Sequence, residues 1–131
     1  MSESTLRIAI GVIAAVNLAI GLFAAIAPGS FYEEIGTYGA KNGHYVGDVA
    51  AFYLAAGIGL VVAVSRPAWR VPMLTLVAVW WGIHALNHLG DVNEASSDGK
   101  GITDTILIAA GSAAIGYLAW VVSRGRSDSS A

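Results

Sequence analysis

Cysteine is absent from the 131-residue chain, which excludes disulfides, thiolate metal sites and cysteine nucleophiles. Charge is scarce as well. Only 12% of residues are charged, about half the share of an ordinary soluble domain. Seven basic side chains against nine acidic ones leave a net charge of −2. No basic tract is long enough to neutralise a phosphate backbone, so no nucleic-acid partner is expected.

What the chain has in abundance is apolar residues, 56% of the total, with a mean hydropathy of +0.65. They fall into four runs, at about residues 6–27, 44–64, 71–89 and 102–122. Each is near the 20 residues that cross a hydrocarbon core of about 30 Å at 1.5 Å per residue. The expected fold is all-α, an up-down bundle of four transmembrane helices in a single integral membrane domain over residues 1–131, with a disordered tail at 123–131. The first run carries Asn17 as its one strongly polar interior residue and ends at Pro28-Gly29. Ala25-Ile26-Ala27 has the form of a signal-peptidase site, but the run exceeds a signal h-region and Pro28 would follow the scissile bond. A retained helix is expected.

The loops supply orientation. Residues 29–43 are glycine-rich, and Phe31, Tyr32, Ile35 and Tyr38 suggest a short helix or turn at the interface, where aromatic rings favour headgroup depth. Residues 65–70 read as a tight loop, and residues 90–101 as a polar one. With the N-terminus cytoplasmic, Arg7, Arg66, Arg70, Arg124 and Arg126 lie inside, and only Lys41 and Lys100 lie outside. That follows the positive-inside rule and places both termini in the cytoplasm of a multi-pass plasma (inner) membrane protein. Gly11-x3-Ala15, Ala55-x3-Gly59 and Ser112-x3-Gly116 are small-x3-small pairs suited to close helix approach, within the chain or against another copy or subunit.

Chemistry is hinted at in one stretch, Trp80 to Asp91. His84, Asn87, His88 and Asp91 are spaced i, i+3, i+4, i+7, so they share a helix face, and Trp81 lies on the same stripe. The second run opens with His44 and Asp48, one turn apart. Under the expected topology these groups, with Asp104 at the start of the fourth run, converge in the outer third of the bilayer. Asp104, beside Thr103 and Thr105, also reads as a helix-start residue. Ionisable groups at that depth must face a protein interior, a partner or water.

Three readings follow. In the first the groups are interhelical glue that holds the bundle in register. In the second His44, Asp48, His84 and His88 ligate a divalent transition metal, with Asn87, Asp91 and Asp104 in supporting positions. Imidazole and carboxylate without thiolate suit zinc, iron, copper or manganese. A haem held axially by histidines of facing helices is a variant ranked below a bare ion. Either would support redox or hydrolytic chemistry on a lipid-soluble molecule. In the third the chain is a proton or ion pathway, or a non-catalytic subunit or assembly factor of a larger membrane complex.

The run Asn42-Gly43-His44-Tyr45-Val46-Gly47-Asp48, the Arg-Pro-x-x-Arg turn and His84-x2-Asn87-His88 together carry a resemblance. The pattern, over roughly residues 28–91, resembles an uncharacterised family of small four-span integral membrane proteins common in actinobacteria. Its architecture is similar to that of DoxX-like proteins, some of which are tied to quinone-linked oxidoreductases. The resemblance implies a membrane fold and names candidate residues; it implies no particular reaction.

Overall fold

The computed structural model describes residues 1–127, the side chains of Asp98, Arg126 and Ser127 excepted. Five α-helices and one 3-10 turn account for nearly all of it, and no strand occurs among the described residues. The helices are α1 (Glu3–Ile26), α2 (Pro28–Glu34), α3 (Gly43–Ser65), α4 (Pro67–Gly90) and α5 (Asp98–Ser127), with the 3-10 turn at Val92–Glu94. The chain divides into two compact units, Met1–Trp69 and the residues from Arg70 onward.

In the first unit α1 packs along α3. Ser2 caps α1, its Oγ accepting from the Thr5 N–H at 3.1 Å. Pro28 ends the helix as expected and opens α2, because proline has no N–H for a helix interior but is tolerated in the first turn. The short helix expected from the aromatics is α2, which ends at Glu34, before Ile35 and Tyr38. Its Phe31 is buried and meets Phe23 edge to face, with ring centroids 5.8 Å apart. Asn42 caps α3, its Oδ1 accepting from the N–H groups of His44 and Tyr45 at 3.1 and 3.2 Å.

The α1–α3 seam is built on glycines, but not the pairs that spacing suggested. Ala15 and Ala55 are exposed, and a Cβ on Gly11 would meet nothing within 4 Å. The close approach lies at Gly21, where a Cβ would sit 2.9 Å from the Leu54 backbone nitrogen, and at Gly57, where it would sit 2.7 Å from Leu18 Cγ. The buried residues of α1 (Ile10, Ala14, Asn17, Gly21 and Ala24) recur every three or four positions, as a single packed stripe requires. Asn17 is fully buried within it. Its Nδ2 donates to the Ile13 carbonyl at 2.8 Å, so one of its two donor hydrogens is used inside α1.

α3 ends at Ser65 and α4 begins at Pro67, so the expected loop at 65–70 shrinks to Arg66. Arg70 lies in the first turns of α4 and is buried, not in a solvated loop. In the second unit α4 and α5 are joined by a hydrogen bond from Ser112 Oγ to the Ala78 carbonyl at 2.8 Å. Gly116 lies against Ala78, and Gly82 against Ser112, so the third small-residue pair does mark a helix contact. Ser112→Ala is expected to destabilise this unit by about 1 kcal/mol in detergent, the usual magnitude for an interhelical hydrogen bond in a membrane bundle; chemical denaturation followed by circular dichroism measures it.

Ser97 precedes α5, and its side chain and carbonyl both accept from the Lys100 N–H. The helix therefore starts well before Ile102. Asp104 lies in its second turn and pairs with Lys100 instead of starting a helix. At the far end α5 continues to Ser127, so residues 123–127 are helical where a disordered tail was expected; residues 128–131 lie outside the described part.

α1, α3 and Gly99–Gly125 of α5 are long and apolar enough to cross a membrane. Their outward surfaces are apolar too: Ile8, Val12, Ile58, Val61, Ile106 and Leu107 are each at least half exposed. Such a surface is costly in water and matched by hydrocarbon. The protein is therefore a helical membrane protein. α4 is equally long, but three tryptophans, Arg70, two histidines and Asn87 lower its average hydropathy.

Candidate functional site

The C-terminal half of α4 carries the candidate site. His84 and His88 are one turn apart and both half-buried. Their rings meet edge to face with centroids 4.6 Å apart and an interplanar angle of 90°. This brings His84 Nε2 within 3.3 Å of His88 Nε2. With one ring donating and the other accepting, that is a hydrogen bond between neutral imidazoles.

Trp80, one turn earlier, stacks on His84 with its ring 5.4 Å away and 5° from parallel. Trp81, which spacing places on the stripe of His84 and His88, instead turns to α5. A Cβ on Gly111 would run into the Trp81 six-membered ring, so Gly111 is the cradle for that indole. The i, i+4 interval selects Trp80 over Trp81 as the neighbour of His84, since four residues complete a turn more nearly than three.

Of the supporting residues, Asn87 and Asp91 are exposed, unlike the half-buried histidines with which they were expected to share a face. The Asp91 N–H donates to the Asn87 carbonyl at 2.9 Å, where α4 gives way to the 3-10 turn. The Lys100–Asp104 ion pair, 23% and 25% exposed at its side chains, stands at the start of α5. Asp104, Lys100 and Asp91 are all near enough for their charges to act on the His88 ring. Sequence reading had left Lys100 out of the cluster. Its i, i+4 relation to Asp104 was the available signal.

In the first unit His44 and Asp48 are paired as expected, Nε2 to Oδ2 at 3.6 Å, with side chains 90% and 71% exposed. The four expected ligands thus form two pairs, one in each unit. Among the described residues no group of three or more His, Cys, Asp or Glu side chains is gathered closely enough to hold an ion by itself.

No family model, curated protein or solved structure matches this chain. The site's own geometry is therefore what bears on function. Two imidazole nitrogens lie side by side at one end of a hydrophobic helix, one ring stacked on a tryptophan and the other beside an aspartate–lysine pair.

Proposed function

We propose that the protein crosses the plasma membrane four times with both termini in the cytoplasm, and that His84 and His88 chelate a divalent transition metal near the outer face. The observation that carries the metal reading is the 3.3 Å separation of the two Nε2 atoms. Two nitrogens each about 2.0–2.1 Å from one tetrahedral ion stand roughly 3.3–3.4 Å apart. The pair is thus spaced to take an ion between its nitrogens with little rearrangement of the helix. Trp80, stacked on His84, serves as the neighbour that orients that ring, a role outer-sphere groups commonly fill at metal sites.

Two protein nitrogens leave coordination positions for a substrate or further ligands. An ion so held supplies Lewis acidity or, for iron, copper or manganese, electron transfer toward a molecule dissolved in the lipid. His44 and Asp48 remain candidates for the further ligands, on the sequence reading alone. The actinobacterial, DoxX-like resemblance concerns the membrane fold and the candidate residues, not the reaction, and stands as a proposal beside this one.

Elemental analysis of gently purified protein tests the proposal. About one zinc, iron, copper or manganese ion per chain is expected, falling to background in the His84→Ala/His88→Ala variant. A His44→Ala/Asp48→Ala variant that also loses metal assigns all four residues to the site. Sub-stoichiometric metal that ignores the His84 and His88 changes rules the proposal out.

The crossing by α4 is supported by which of its residues are exposed. Leu76, Val79, Ile83 and Leu86 form a lipid-suited stripe, each at least half exposed, while the histidines that lower the helix average are half-buried. Average hydropathy does not distinguish these faces. A second reading, an accessory subunit or homo-oligomer, draws on α5, where only 11% of the most apolar stretch is buried.

A further inference from the structure

At the opposite end of the second unit from the histidines, a groove of about 310 Å³ lies between the first half of α4 and the last turns of α5. Its walls include Val71, Thr75 and Val79 of α4 and Ala119, Trp120 and Ser123 of α5. The lining is overwhelmingly apolar and open to the outside. In a bilayer a trough of this kind is filled by something apolar, because water gains too few partners there.

One feature of the groove selects the occupant. The Arg124 guanidinium carbon stands 4.5 Å from the Trp120 ring centre, and Trp120 is itself stacked on Tyr117 at 5.7 Å. A guanidinium that meets an aromatic ring is partly ordered, and its fork of N–H donors suits a phosphate. An apolar trough that ends in such a cation complements a molecule with a hydrocarbon chain joined to an anion.

We propose that this groove binds an anionic phospholipid, one acyl chain lying between α4 and α5 and the headgroup phosphate taken by Arg124. Ser123 is held by its own helix, its Oγ donating to the Trp120 carbonyl at 2.8 Å, so Arg124 carries the headgroup contact. The inner leaflet is where anionic lipids attract basic residues next to a span, and the C-terminus falls there under the proposed topology. The inference rests on the proposed membrane topology but not on the metal site.

Native mass spectrometry of the full chain, released from nanodiscs with equal phosphatidylglycerol and phosphatidylcholine, tests it. The wild type is expected to retain phosphatidylglycerol at least fivefold over phosphatidylcholine, the factor that about 1 kcal/mol per basic residue at an anionic surface corresponds to. Arg124→Gln should bring the two lipids to parity. Thr75→Trp, placed on the exposed wall of the trough, should lower retention of both. Equal retention by the wild type, or an unchanged preference in folded Arg124→Gln, overturns the proposal. So does a second copy of the chain that replaces lipid in the spectrum and dissociates in Thr75→Trp, or lipid that free inorganic phosphate displaces.

Discussion

His84→Ala is expected to weaken divalent-metal binding by at least about 100-fold, more than the 10- to 100-fold typical of changes behind the ligands. The reason is geometric. Two imidazoles fixed on adjacent turns, with nitrogens 3.3 Å apart, bind one ion with a single loss of translational freedom. A lone imidazole cannot. His88→Ala should have nearly the same effect, and the double variant little more, because either change destroys the chelate; coupling between contacting residues is non-additive in this way. Calorimetric titration of zinc or copper into metal-stripped protein measures all three variants. Affinities within about threefold of wild type in either single variant would show that the pair is only a hydrogen bond between rings. Trp80→Leu separates ligation from orientation: it should cost affinity without abolishing stoichiometry.

Gly21→Ala is expected to destabilise the first unit even though alanine is the better helix former. In an open helix the exchange gains about 0.5–1 kcal/mol. At Gly21 the added methyl would lie 2.9 Å from both the Leu54 backbone nitrogen and Leu54 Cγ. The side chain could rotate away, but the backbone cannot without separating the helices, and overpacking costs about 1–3 kcal/mol. The clash therefore exceeds the propensity gain, and Gly21→Leu should prevent native packing of α1 on α3 altogether. Gly11→Ala is the control: nothing lies within 4 Å of its Cβ position, so the propensity gain should appear undiminished. Unfolding in mixed detergent micelles, followed by circular dichroism, gives both signs. A stabilised Gly21→Ala would mean that the seam is looser than its glycines imply.

The helices were legible because their causes are local. Long apolar runs, Pro28 after the first and Asn42 before the second are each written within a few residues, and α1, α2 and α3 follow them closely. Pairings one turn apart were legible for the same reason, as His44 with Asp48 and His84 with His88 illustrate. What could not be read was which side of a helix meets which neighbour. Gly11-x3-Ala15 and Gly21 are equally small, and only the seam against Leu54 distinguishes them. Trp80 and Trp81 likewise differ by 100° around the helix, which sends one onto His84 and the other onto Gly111. The start of α5 was missed because Ser97 and Lys100 were read as loop polarity, although a serine followed by three residues that complete a turn is a capping signal.

The helix that carries the histidines, α4, is also the one whose polar residues lower its hydropathy below that of the three apolar spans. Because the chain has no cysteine, an introduced Ser2→Cys or Asn93→Cys is the only thiol, and a membrane-impermeant maleimide applied to intact cells reports its side. The prediction is that Asn93→Cys is labelled and Ser2→Cys is labelled only after the cells are opened, which places an odd number of crossings between the two positions. Labelling of both, or of neither, before the cells are opened would mean that α4 does not cross, and His84 and His88 would not be the membrane-embedded pair on which the functional reading rests.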